Sequence, residues 1–246
     1  MKKIVCIIFF YYTTFAQQAK VIYHADFLPV PGIKTTEADR EKMKRVSGFV
    51  DDYGEYLKLH RYVLIFNPDE SYYHVESMEM PEDVENPTAY KLSESGAIAK
   101  GDFYQNRKRR LVLNLSEQKH EKILISDTLS QDHWQITGET KTIGKYHCIK
   151  AIWKCSRCKN PTEAWFTPEI PVPFGPAGYG GLPGLILELK KYRTILTAEK
   201  IQWLKEKPHI KIPEADKQMT RAQYKAMLHR KRMEIRRRAR QRRESF

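Results

Sequence analysis

Ten of the seventeen positions from Pro168 to Gly184 are proline or glycine, and no other stretch of this 246-residue chain restricts its fold as much. Prolines at 168, 171, 173, 176 and 183 remove backbone donors and fix φ, which is incompatible with a helix interior or a central strand. Glycines at 175, 178, 180, 181 and 184 permit positive φ or a close backbone approach where bulky neighbours need room. Linkers of such composition are normally polar. This one is interleaved with Ile170, Val172, Phe174, Tyr179 and Leu182, and flanked by Trp165, Phe166 and Leu185-Ile186-Leu187, so it reads as stiff and packed. Two readings stay open. One is an ordered plug or crossover capping a sheet; the other is a rigid aromatic platform for an apolar or peptidic ligand. The partner-binding candidates on that platform are Trp165, Phe166, Pro168, Pro171, Phe174, Tyr179, Gly180, Gly181, Leu182, Pro183 and Gly184. The spacing disfavours a phosphate loop, because Gly178-Tyr179-Gly180 is not continued by the required glycine and no Gly-Lys-Ser/Thr follows.

The chain around this segment has the cadence of short strands. Val21–Leu28 is extended and ends at the turn cluster Pro29-Val30-Pro31-Gly32. Thr36 with Asp39 resembles a capping box, and Met43, Val46 and Val50 fall on one face of a short helix. Glu55–Phe66 reads as a strand, Asn67-Pro68-Asp69-Glu70 as a β-turn, and Ser71–Ser77 as the returning strand. Met80–Ser95 is polar and reads as a surface loop. Further strands are predicted near 102–105, 110–115, 123–127, 134–139, 147–155, 162–166, 185–190 and 192–204, separated by polar turns as in an antiparallel meander. Long helices do not alternate with these strands, which argues against a doubly wound parallel sheet. From Asp216 the pattern changes to helix. The expected fold is mainly β: an antiparallel curved sheet or incomplete barrel with one short helix and a C-terminal basic helix.

Charge separates the same regions. Hydrophobic residues make up 41% and charged residues 30%, enough for a globular core, and the formal net charge is +13. Residues 217–246 hold twelve Lys and Arg against Glu234 and Glu244, so the first 216 residues are close to neutral. At the other end, Lys2 and Lys3 precede an apolar run from Ile4 to Tyr12, and Thr14-Phe15-Ala16 places small residues where a signal peptidase reads. The run is too short for a membrane span. Cys6, inside it, does not resemble a lipoprotein cysteine. The expected organisation is a signal peptide over residues 1–16, a β domain over 17–213 and a basic helical tail over 214–246.

The segments Ala164-Trp-Phe-Thr-Pro-Glu-Ile-Pro-Val-Pro-Phe-Gly-Pro176 and Gly180-Gly-Leu-Pro-Gly-Leu-Ile-Leu-Glu-Leu189 resemble the GLPGLI family of exported Bacteroidota proteins, named for residues 181–186. The resemblance extends through Trp134–Gly144, Tyr146, Cys148–Ala151 and, more loosely, Leu64–Ser71. Lys145, Ala177-Gly178 and the Cys155-Ser-Arg-Cys158 pair depart from the family pattern. The resemblance implies a periplasmic location in a Gram-negative cell, no established activity, and association with TonB-dependent outer-membrane receptors.

Side-chain chemistry is sparse. Cys148, Cys155 and Cys158 remain after signal removal, an odd number for an oxidising compartment, and a disulfide between two of them is the favoured expectation. Together with His147 they include zinc or copper ligand types, but His147 and Cys148 are strand neighbours and point to opposite faces. No GxSxG elbow or HExxH helix occurs. His60, His74, His120, His133 and His209 read as surface or strand-edge residues, and Glu163 with Glu169 as loop carboxylates. The tail carries Arg230-Lys-Arg232, Arg236–Arg238, Arg240, Arg242 and Arg243. Export argues against nucleic acid as its partner and favours an anionic surface.

The sequence therefore leads to the expectation of a non-enzymatic periplasmic binding or adaptor protein, without cofactor, that engages an outer-membrane receptor or its cargo. The alternative is a small-ligand or metal-handling protein using Cys148, Cys155 and Cys158.

Overall fold

A computed structural model describes residues 18–28, 37–94, 98–99, 101–118, 121–154 and 160–244. The expected signal peptide, the 29–32 turn cluster, Thr36, His120, Cys155 and Cys158 lie outside the described residues, as do the side chains of Asp39, Met43 and Val46. The first half contributes strands β1 (Ala19–Phe27), β2 (Arg61–Phe66), β3 (Glu70–Glu76), β4 (Asp102–Asn106), β5 (Leu111–Gln118) and β6 (Glu121–Thr128). The second contributes β7 (Trp134–Ile143), β8 (Tyr146–Trp153), β9 (Glu163–Thr167), β10 (Leu185–Lys191), β11 (Thr194–Trp203) and β12 (Lys217–Thr220). Helices α1 (Glu37–Leu59), α2 (Pro87–Ser93) and α3 (Arg221–Glu244) complete the chain.

The protein is mainly β, built on one twelve-stranded unclosed sheet in the order β12-β6-β5-β4-β3-β2-β1-β11-β10-β9-β8-β7. Two meanders meet where β1 pairs antiparallel with β11, from Ala19↔Trp203 to Phe27↔Thr194. Connectivity alone dictates strong curvature. In a flat sheet, β6 and β7 would lie ten strand positions, roughly 48 Å, apart. The chain from Thr128 to Trp134 reaches roughly 20 Å at most. The sheet must therefore curl until its two ends approach, which produces the expected incomplete barrel.

The Pro/Gly segment fills the curl. It leaves β9, crosses to touch β2, β3, β4 and β5, and returns in β10. Ile170, Val172, Phe174 and Ala177 pack in the same cluster as Val21, Tyr23, Leu64, Phe66, Tyr73 and Phe103. The backbone groups its prolines leave available are paired: Gly181 N donates to Pro173 O (2.9 Å) and Ile186 N to Phe174 O (3.0 Å). Gln105, itself 1% exposed, secures the segment from the opposite strand. Its Nε2 donates to Gly178 O and Tyr179 O, each at 3.2 Å, while its Oε1 accepts from Gly175 N (3.4 Å) and Ser71 Oγ (3.2 Å). At Gly184 a Cβ would lie 2.1 Å from Thr167 O, so only glycine fits.

Three local expectations are corrected. Glu55–Leu59, read as strand, is the last turn and a half of α1. Its Tyr and Leu content suits a strand, but burial of Tyr53, Gly54 and Leu57 follows the helical period, and Tyr62 Oη donates to Leu57 O at 3.1 Å. The loop expected over Met80–Ser95 contains α2, started by Pro87 at its first turn and by Asn86, whose side chain accepts from Ala89 N at 3.2 Å. Lys217–Thr220, read as helix, is strand β12, paired parallel to β6. His60 is corrected too. It is 2% exposed, with Nε2 2.7 Å from Ser93 Oγ, and burial lowers its pKa.

Candidate functional site

A cleft of about 380 Å3 opens where the two ends of the sheet approach each other. Separate parts of the chain build it. Phe103, Val112, Asn114 and Ser116 from β4 and β5 form its floor; Gly178 and Tyr179 of the plug form one wall; Ser130, His133 and Trp153 form another; Arg221, Tyr224 and Lys225 from the first turns of α3 close the last side.

The aromatic wall is assembled from rings distant in sequence. His133 stacks on Trp153 (centroids 4.8 Å apart, 25° between planes), and Trp153 meets Tyr179 edge to face (5.3 Å, 79°). Trp134 lies behind them, perpendicular to Trp153 at 4.9 Å, with its Nε1 donating to Gly180 O at 2.9 Å. That buried bond ties the plug to the start of β7 and holds the ring edges at the cleft. Lys191 Nζ lies 5.5 Å from the Tyr179 ring centroid, within cation–π range.

The opposite side is polar. Asn114, 4% exposed, donates from Nδ2 to Asp102 O at 3.3 Å. Ser130 Oγ donates to Asp132 Oδ2 (2.7 Å) and accepts from Arg110 Nη2 (3.3 Å). Arg221 Nε pairs with Asp127 Oδ2 at 3.1 Å. The start of α3 is set by a reciprocal cap: Gln223 N donates to Thr220 Oγ1 (3.2 Å) and Thr220 N to Gln223 Oε1 (2.8 Å). Because Thr220 ends the strand paired with β6, the cap fixes Arg221 and Lys225 against the cleft.

The structure divides the platform residues expected from sequence. Phe166, Phe174 and Leu182 are buried in the core, and Gly180 and Gly184 are buried beside them. Phe166, Phe174, Leu182 and Gly184 serve packing. Pro168, Pro171 and Pro183 are exposed singly, and Gly181 is half-buried beside Ser130. Of the whole set Tyr179 reaches the cleft wall, while Gly180 contributes lining backbone. Trp165 faces elsewhere, with Lys141 Nζ 4.5 Å and Lys150 Nζ 5.7 Å from its ring.

Cys148 is a free thiol, fully buried, and burial pushes its pKa up to about 11. Its neighbour His147 is exposed and donates its backbone N–H to Glu169 Oε1 at 2.7 Å. Among the described residues no group of three or more His, Cys, Asp or Glu side chains is placed to hold a metal ion. Glu163, read as a loop carboxylate, begins strand β9 and faces Lys150 (3.4 Å) and Lys190 (3.6 Å). Sequence reasoning placed none of Trp153, Asn114, Asp127, Lys191, Arg221 or Lys225 in a site, because each looks ordinary in its own segment.

With this geometry in hand, the family described as N-glycanase peptide, N-terminal domain, matches residues 92–226, more than half of the chain. The chain belongs to this family of N-glycanase N-terminal domains. The fold recurs in solved structures of PNGF-II. In its P21 crystal form the likeness has a TM-score of 0.52 at 18% identity, covering 86% of this chain and 33% of that one. In its C2 form the TM-score is 0.51 at 19% identity, covering 86% and 32%. The chain thus spans about a third of the length of PNGF-II. No curated protein matches the sequence. The expectation of a non-enzyme is corrected by this family membership, since the family is described as an N-terminal domain of an N-glycanase. The family region ends within α3 and includes every cleft residue named above.

Proposed function

We propose that the chain serves the release of N-linked glycans as an exported module of an N-glycanase-type system, and that its cleft captures the saccharide. The observation that carries this reading is the pairing of the Trp153–Tyr179 ring wall with the row Asn114, Ser130 and Asp127 across one concavity. A pyranose ring has an apolar C–H face and a rim of hydroxyls. Ring faces and edges bury the first without competing for water, while amide, hydroxyl and carboxylate groups satisfy the second, so a sugar site needs both kinds of surface together. The volume lies near the lower end of the range for small-molecule sites. The signal-like leader and the GLPGLI-type segment support a periplasmic setting, where folded glycoproteins and glycopeptides are accessible.

Titration of the full chain with an N-glycopeptide, with the same peptide lacking its glycan, and with the free glycan tests the reading. The glycopeptide and the glycan are expected to bind and the bare peptide to fail. Trp153→Ala is expected to weaken glycan binding about thirtyfold by removing the central ring. Equal affinity for the bare peptide would overturn the assignment.

A further inference from the structure

We infer that the saccharide held in the cleft is acidic, carrying a carboxylate or sulfate group; this rests on the glycan-binding reading and specifies its ligand class. The argument is one of charge. Lys191, Arg221 and Lys225 all line the cleft, while Asp127 is the one carboxylate among the described lining residues. Asp127 is committed to Arg221 at 3.1 Å. Among the described residues no carboxylate forms an ion pair with Lys191 or Lys225. A neutral glycan needs hydrogen-bonding groups but no excess of cation, and a concave wall concentrates the field of unpaired charges. An anionic group entering beside the aromatic wall offsets the excess positive charge of the cationic side as it binds.

These cations are positioned by independent structural devices. Lys191 ends β10 and is held over two rings, Tyr179 at 5.5 Å and Tyr192 at 6.0 Å. Arg221 and Lys225 are brought in by the parallel pairing of β12 with β6, from Lys217↔Ile123 to Thr220↔Ser126, followed by the Thr220–Gln223 cap. The ring wall and Lys191 share Tyr179, so a ligand that lays a sugar face on Trp153 and Tyr179 has its substituents beside Lys191.

Three probes of matched size decide the matter by calorimetric titration of the full chain: a sialylated complex-type glycopeptide, the same glycopeptide after desialylation as the neutral probe, and a sulfated oligosaccharide, with inorganic sulfate as control. The sialylated and sulfated probes are expected to bind about tenfold tighter than the neutral one at low salt, an advantage that fades as ionic strength rises. Lys191→Gln combined with Lys225→Gln is expected to erase the difference between the acidic and the neutral probes. Trp153→Ala is expected to weaken all three. Equal affinity for neutral and acidic probes overturns the acidic class and leaves the glycan reading standing. Binding of no saccharide overturns both, and inorganic sulfate binding as tightly as the sulfated oligosaccharide also overturns the inference, because the cations would then act without the rings. If only the sulfated or only the sialylated probe gains affinity, the inference holds and the anionic group is identified.

Discussion

The Pro/Gly plug and helix α3 are the two stretches whose composition departs most from the rest of the chain, and the structure treats them in opposite ways. The plug, made of helix- and strand-breaking residues, lies inside the curl with nearly every apolar side chain covered. The helix, made of good helix formers, packs through Tyr224, Met227 and Leu228 in its first two turns and is exposed from His229 onward wherever its side chains are described. Regularity of backbone is thus no guide to integration. What matters is whether the apolar residues share a face: plug residues 170, 172 and 174 meet one core, whereas Met233 and Ile235 of α3 stand among arginines, 50% and 68% exposed. The cleft forms where these unlike parts meet, with Tyr179 on one side and Arg221 and Lys225 on the other.

The comparison is broken most readily at Gly184. Gly184→Ala sets a Cβ 2.1 Å from Thr167 O, and a loss of about 3 kcal/mol in urea unfolding is expected; an unchanged midpoint would show that the plug is not jammed against β9. Gln105→Leu strips partners from Gly175 N, Gly178 O and Tyr179 O. A loss of about 2 kcal/mol is expected in the same assay. Trp134→Phe removes one buried bond to Gly180 O and should cost about 1 kcal/mol, with weakened glycan binding as the ring wall loosens.

Cys148 reports on the plug from within, since it packs in the same cluster. Burial raises its pKa from 9.0 to about 11, so the folded state holds the thiol proton more tightly than the unfolded chain. Its contribution to stability is full below pH 9.0 and is lost as pH rises toward 11. Alkylation of native protein at pH 8 should therefore be slow and become fast in urea; equal rates would mean that the plug opens freely. The smallest effect belongs to the helix. Truncation after Arg230 should leave the unfolding midpoint and cleft binding unchanged, and amides beyond residue 230 should exchange orders of magnitude faster than those of Gly181 and Ile186. A marked fall in stability would mean that the exposed rod has a packing role.

Much of the meander was legible in the sequence because a strand with one covered face writes its burial as alternation. The expected strands near 102–105, 123–127, 134–139 and 185–190 all correspond to observed ones. The Asn67 turn was equally legible: its Oδ1 accepts from Asp69 N (3.0 Å) and Glu70 N (3.1 Å), a bonding pattern contained within four residues. The end of α1 was not, because five residues rich in Tyr and Leu are too few to fix a period until Leu57 is seen in the core. Strand β12 was not either, since four residues pair in parallel only because β6 offers them an edge.

By itself, then, the sequence determined a mainly β chain, a packed Pro/Gly segment and a separate basic helix, all of which follow from covalent restriction, local hydrogen bonding and side-chain periodicity. Only the tertiary structure decided that Phe174 is core while Tyr179, nearby in the same segment, forms a wall, and that Trp153, Asn114, Asp127, Lys191 and Arg221 converge on one cleft. The reason is that convergence depends on how far the sheet curls. Curvature is a collective result of twelve paired strands closing around a plug, and no single segment encodes it.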